Sequence, residues 1–143
     1  MLLIIAASHP VFAQYKPVNE ISELKFTIAN LGFDVHGSFS GFEGSILFDP
    51  QNTATDRFDV SIDAGTVNTD NDLRDDHLKE ENYFDIKNYP RIKLVSEKIS
   101  TGKGSNAFVF TGQLTLKGKS KMISFPFTAV PDANGYLFKG TFK

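Results

Sequence analysis

Three residues whose types could do chemistry fall close together: Arg74, Asp75 and His77. A guanidinium, a carboxylate and an imidazole at this spacing could act as a charge clamp, a general acid–base pair or part of a metal site. The surrounding stretch, NTDNDLRDDHLKEENYFDIKNYP (68–90), carries seven acidic residues against three basic ones. A metal centre needs several histidines, cysteines or carboxylates converging. The chain has no cysteine and only His9, His36 and His77, with no HxH or HxxxH pair. There is no Gly-x-Ser-x-Gly, no Gly-rich phosphate loop and no spaced acid pair in a catalytic setting. No metal, no cofactor and no catalysis is therefore expected. Arg74 is expected to pair with a nearby carboxylate and pin the segment to the rest of the fold, with Asp75, His77 and Tyr89 as further structural anchors. His36 alternates outward and reads as a solvated strand residue.

The elements that must hold this segment read as follows. Asp72 is the expected N-cap of a short helix over 73–81. Leu73, His77 and Phe84 fall roughly on one side at helical spacing. Tyr89-Pro90 ends any helix, because the residue before proline is pushed to extended geometry. The segment reads as a plug or a long connection crossing between two halves of a β-structure.

On both sides of it, apolar and polar residues alternate with the period of a strand. Leu24, Phe26 and Ile28 alternate with charged and polar neighbours, as do Phe33, Val35, Gly37 and Phe39. Phe42, Gly44, Ile46 and Phe48 follow, then Phe58, Val60, Ile62 and Ala64. Beyond the acidic segment come Ile92 and Leu94, a phase slip at Val95-Ser96 that suggests a bulge, and then Phe108, Phe110, Gly112, Leu114 and Leu116. Ile123, Phe125, Phe127 and Ala129 make the next strand, where Pro126 points to an edge or bulge. After a turn at Asp132–Gly135, Tyr136, Phe138, Gly140 and Phe142 close the series. About eight strands at hairpin spacing predict an all-β, antiparallel sandwich or barrel. Glycines 37, 44, 112 and 140 sit in the apolar register. They either leave room for a cavity or relieve crowding beside phenylalanine rings.

The 143 residues make one domain large enough for a real core. A net charge of −2 gives no reason to expect nucleic acid. Fourteen Phe and no Trp predict an interior with almost no polar handles. At the start, apolar Leu2–Ala7 and Val11-Phe12-Ala13 before Gln14 read as a signal peptide over 1–13, with no basic residue ahead of it, as if its start were truncated.

The spaced residues Thr69-x-Asn71-x-x-Arg74-Asp75-x-His77-Leu78, then Phe84-Asp85, Tyr89-Pro90-x-Ile92 and Ser96, resemble the signature of the YceI-like family of lipid- and polyisoprenoid-binding proteins. Val35-x-Gly37-x-Phe39-x-x-Phe42-x-Gly44-x-Ile46-x-Phe48-Asp49-Pro50 and Gly112-x-Leu114-x-Leu116-x-Gly118 are similar to it as well. The likeness runs from about Ser22 to Gly140. It implies a lipocalin-like antiparallel barrel over residues 14–143, periplasmic or secreted, that holds a quinone or polyprenyl lipid in an apolar tunnel. Family members continue past the strand matching Tyr136–Phe142, so this barrel is expected to lack its last strand.

On this reading the protein carries or stores an isoprenoid lipid without catalysis. The expected ligand-binding set is the inward face: Phe26, Ile28, Val35, Phe39, Ile46, Phe48, Val60, Ile62, Leu94, Phe108, Phe110, Leu114, Phe125, Phe127 and Phe138. Each buried CH₂ of such a ligand contributes about 0.8 kcal/mol. Peripheral membrane contact and a dimer are compatible with this reading. The alternatives are a filled-core structural or stress-response domain and, weakest, a lipid-modifying enzyme using Arg74, Asp75 and His77.

Overall fold

The computed structural model describes residues 1–11, 14–30, 32–132 and 135–143, and the side chains of these apart from residues 7–11 and 30. The strands are β1 (Leu2–Val11), β2 (Gln14–Pro17), β3 (Glu23–Asn30), β4 (Phe33–Leu47), β5 (Arg57–Asn68), β6 (Arg91–Thr101), β7 (Ala107–Leu116), β8 (Lys119–Asp132) and β9 (Gly135–Thr141). One helix, α1 (Asp72–Leu78), follows β5. Every pairing is antiparallel between neighbours, and β1 also pairs with β9, which closes the sheet on itself. β2 and β3 run in one direction and both flank β1, either side of a 3-10 turn at Asn19–Ile21. They share one position, so the barrel has eight strand positions; the expected count of about eight takes 33–48 as two strands and leaves out β1.

The alternation predicts the inner face well. Phe58, Val60, Ile62 and Ala64 of β5 are buried, as are Phe125, Phe127 and Ala129 of β8. The rings meet across strands, mostly edge to face, a favoured geometry for aromatic quadrupoles. Phe48 lies 5.1 Å from both Phe108 and Phe138, and Phe58 lies 5.1 Å from Phe138. Phe110, Phe125 and Phe142 form a stack with 4.9 Å between successive rings.

Several expectations need correction. Residues 33–48 do not form two strands. β4 is one strand, bent by register shifts between Ser38 and Phe42, where Gly41 takes a φ of +73°. The bulge in β6 falls between Ser96 and Lys98, so Ser96 stays inward and Ile99 resumes the buried face. β5 and β6 are direct neighbours, so the segment between them is an enlarged hairpin connection and crosses no halves. Pro126 is not on an edge strand: it pairs with Val109 of β7 in the interior of β8, just beyond the last β8–β9 pair, Phe127 with Gly140.

The seam differs most from expectation. Leu2–Val11, read as part of a leader, forms β1, and Leu3 and Ile5 enter the core. Residues Leu2–Ser8 pair with Gly135–Thr141, so the barrel closes where an open edge is expected. The Phe12 and Ala13 of the expected cleavage site lie outside the described residues, as do positions 133 and 134 of the expected turn.

The glycines settle the question of a hollow. A Cβ on Gly37 would lie 2.3 Å from the Phe26 ring, and one on Gly140 would lie 2.9 Å from the Phe125 ring. On Gly44 and Gly112 it would strike the carbonyl oxygens of Asp59 and Val95 at 2.1 and 2.2 Å. These glycines relieve crowding against rings and backbone, although Gly37 also borders a lateral groove and Gly140 a small central void. Gly37→Ala is expected to cost about 1–3 kcal/mol by overpacking against Phe26, and Phe26→Leu in the same chain should recover a large part of it. Urea unfolding of the two single variants and the double variant measures this coupling.

Candidate functional site

The connection between β5 and β6 folds over one end of the barrel. Its helix starts one residue earlier than the sequence suggests. Asn71, not Asp72, is the N-cap, its side chain accepting from the Arg74 N–H at 3.0 Å, and the helix ends at Leu78. Three residues tie the helix to β5. Asp75 is buried and its Oδ1 accepts from the Thr69 N–H at 2.9 Å and from the Thr69 hydroxyl at 2.5 Å. Arg74 donates from Nε to Thr69 Oγ1 at 2.8 Å and from its terminal nitrogen to the Thr69 carbonyl at 2.7 Å. The partner of Arg74 is thus a threonine, not the carboxylate expected from charge alone. Thr69 satisfies both neighbours because its hydroxyl donates and accepts at once.

Beyond the helix, Asp85 adopts a φ of +48° and its backbone carbonyl accepts from the N–H groups of Asn88 and Tyr89. The Asn88 amide donates to both Asp85 carboxylate oxygens, at 3.2 and 3.0 Å. This turn drives Phe84 down onto the core, 5.2 Å from Phe39 and 6.4 Å from Phe26. Leu78 and Ile86 pack beside it. Tyr89 lays its ring over Gly118, where a Cβ would fall 2.6 Å from a ring carbon. His77 is exposed at the rim. Leu73, His77 and Phe84 therefore do not share one buried face.

Two openings flank Phe26 at this end. The first, of about 490 Å³, lies between the β3–β4 hairpin and the helix, lined by Ile28, Ala29, Val35, Asn71, Leu73, Arg74, His77, Leu78 and Tyr83. The second, of about 720 Å³, is a lateral groove bordered by Met1, Leu2, Lys25, Phe26, Thr27, His36, Gly37, Thr141 and Lys143. It exists because β1 pairs with β3 only at Glu23–Lys25, leaving the facing edge of β3 from Phe26 onward without a described strand beside it. The barrel centre holds a void of only about 20 Å³, wholly apolar, among residues that include Leu94, Phe110, Phe125, Phe127 and Phe138.

The expected ligand-binding residues accordingly divide. Ile28 and Val35 face the mouth, and Phe26 borders the lateral groove. Leu94, Phe110, Phe125, Phe127 and Phe138 surround the small central void. Phe39, Ile46, Phe48, Val60, Ile62 and Phe108 are packed core, and Leu114 packs against it half-buried. The elongated hollow expected along the barrel axis is absent among the described residues. The expected ligand-binding set leaves out Leu73, Leu78 and Tyr83 at the mouth, which follow neither strand nor helix period among themselves, and Leu3 and Ile5, hidden in an unbroken apolar run. Among the described residues no group of three or more His, Cys, Asp or Glu could hold a metal ion.

The far end is sealed by Phe48, Tyr15 and Tyr136, with Phe48 4.9 Å and Tyr15 5.5 Å from Tyr136. Burial, then the neighbouring Tyr136 and Asp49, push the Tyr15 phenol above its ordinary value. Asp56 caps the loop here, its Oδ1 accepting from the Asp49 N–H at 2.7 Å. Its Oδ2 is buried with no hydrogen-bond partner among the described residues. Burial raises its pKa to about 6, against the pull of the Asp49 N–H and with a contribution from the Asp49 charge.

A closed antiparallel barrel with an apolar interior and a helix-bearing cap is a lipocalin-like binding fold. The family model described as YceI-like domain matches residues 15–143, and the chain belongs to that family. It is 34% identical over 124 residues to UPF0312 protein plu2095 of Photorhabdus laumondii, and 31% identical over 125 residues to UPF0312 protein YE1254 of Yersinia enterocolitica. Each alignment takes in 85% of this chain, which spans 64% of the length of those relatives. The crystal structure of Campylobacter jejuni YCEI protein is similar at a TM-score of 0.62 and 33% identity, covering 77% of this chain and 64% of that one. Burkholderia cenocepacia BcnA shares the fold at a TM-score of 0.72 and 22% identity, covering 97% of this chain and 74% of that one.

Asp75→Ala is expected to destabilise the protein by about 1–3 kcal/mol, because it strands a buried Thr69 N–H, whereas His77→Ala should change stability little; chemical denaturation of both variants checks this. Asp56 binds a proton more tightly folded than unfolded, so its contribution is complete below pH 4 and is lost as pH rises through about 6. Asp56→Asn should remove that part of the pH dependence and raise the melting temperature at neutral pH, read by thermal scans across pH 4–8.

Proposed function

We propose that the protein binds a long apolar lipid of isoprenoid type, a quinone or polyprenyl chain, as a carrier or reservoir without catalysis. The observation that carries this reading is the mouth of about 490 Å³ with Ile28, Val35, Leu73, Leu78 and Tyr83 around it. Sites of a few hundred cubic ångströms with mostly apolar walls and a few polar groups hold small ligands. Asn71, Arg74 and His77 supply polar groups at its rim, where a head group would stay near water while the tail lies against the hairpin. Deeper insertion requires the Phe26, Phe39 and Phe84 rings to swing aside, since they close the passage to the interior. The family membership supports a binding role of this kind.

A second reading, an interaction domain with a filled core, is favoured by the central void of only about 20 Å³. Native mass spectrometry with lipid extraction separates the two. Co-purified prenyl lipid is expected, and repeated recovery of lipid-free protein from lipid-rich cells would favour the filled core. Export to the periplasm or beyond belongs to the same proposal, supported by the apolar Leu2–Ala7 and the small residue Ala13 before Gln14. A leader removed there and a closing strand kept in place exclude one another in one molecule. The N-terminal residue of the exported protein decides between them.

Val35→Asp should weaken lipid retention at least about tenfold by placing a charge in the apolar mouth, while the melting temperature falls by no more than a few degrees. Unchanged retention would move the site away from this end.

A further inference from the structure

We infer that the helix end of the barrel docks on the surface of a neutral, zwitterionic lipid bilayer. The inference rests on the lipid-binding reading and adds where the ligand is exchanged. Leu73 at 69%, Tyr83 at 55% and Ile28 at 43% stand exposed around the mouth, and Phe33 at 76% stands exposed on the same hairpin as Ile28, two residues before Val35. They come from three separate segments, the hairpin tip, the first turn of the helix and the loop after it.

The hairpin explains two of them. Ile28 follows Leu24 and Phe26 on the inward-facing register of β3, and Phe33 precedes Val35, Gly37 and Phe39 on that of β4. These are interior-type positions carried past the top of the packed core, where no strand of the described residues stands opposite. Ile28 pairs with Val35, which lines the mouth, so the apolar rim is continuous with the proposed ligand site. Leu73 and Tyr83 border the same opening from the other side.

Charge selects the occupant. Exposed carboxylates flank the apolar residues, Asp34 beside Phe33, Asp72 beside Leu73, and Asp70 and Asp76 nearby. Of the cations nearby, Arg74 is turned onto Thr69, Lys79 is half-buried, and the Lys117 ammonium donates to the Glu81 carbonyl. An acidic collar disfavours anionic lipid head groups, while apolar side chains inserted at the boundary between head groups and acyl chains bind by area buried, with little dependence on salt.

The test is flotation of the full chain with vesicles of pure phosphatidylcholine and of phosphatidylcholine doped with phosphatidylglycerol, at low and high salt. The protein is expected to float with pure phosphatidylcholine, no better with the doped vesicles, and undiminished at high salt. Phe33→Ser, which does not border the mouth, should lower flotation at least about tenfold with an unchanged melting temperature and unchanged lipid retention. Absence of flotation by the wild-type chain, flotation only with anionic vesicles, or equal flotation of the Phe33→Ser variant would overturn the docking surface. Retained lipid in a chain that never floats would sink the docking surface and leave the binding reading standing. Flotation by a chain that never retains lipid would do the reverse.

Discussion

The packing of phenylalanine rings against backbone governs this molecule. A barrel of eight positions has little interior, and here that interior is taken by rings lying over glycines and against one another. Gly37 accommodates Phe26, and Gly140 accommodates Phe125 and Phe127. Interiors packed to this density leave few voids larger than a water molecule. The consequence is an asymmetry between core and rim: the apolar openings lie where the ring packing stops, around Phe26 and beneath the helix.

The two ends solve different problems. At the far end Phe48, Tyr15 and Tyr136 close the barrel with rings, and the loop beyond them leaves one carboxylate oxygen of Asp56 buried without a partner among the described residues. At the helix end a short helix, unable to stand alone at seven residues, is held by the double use of Thr69. That joint lets the cap be polar on its outer face and apolar toward the mouth. Thr69, Arg74 and Asp75 fix the cap, Arg74 also reaching the mouth, while Ile28 and Val35 of the hairpin face Leu73, Leu78 and Tyr83 of the cap across it.

Strand period made the barrel class and most of the inner face legible before any coordinates. Phe58 through Ala64 and Phe108 through Phe110 alternate cleanly because one side of each strand is core and the other is water. Period alone could not tell a hollow from a filled barrel, since an inward phenylalanine looks the same lining a tunnel or packing a neighbour. The distinction lies in distances such as that from Gly37 to the Phe26 ring, which depend on tertiary packing. The continuous β4 was concealed because the bulge near Gly41 shifts the phase between Phe39 and Phe42 and imitates a turn. Arg74 was misassigned to a carboxylate because the sequence shows charges but not the two-way hydrogen bonding of a hydroxyl. Leu2–Val11 carried no strand alternation, its Leu-Leu-Ile-Ile run matching a leader as well as a strand.

The pairing of β1 with β9 joins residues on the order of 130 positions apart in the chain. Every other strand finds a partner close to it in sequence, so the hairpins from β3 to β9 can zip in succession. Ring closure is left to the contact with the largest loop entropy, and such contacts form late in folding. Leu3 and Ile5 are synthesised long before Gly140 and Phe138, the residues they meet across this seam, and until then only β2 and β3 are there to pair with their strand. The same seam, held to β3 by only Glu23–Lys25, is where the finished barrel would open first under load.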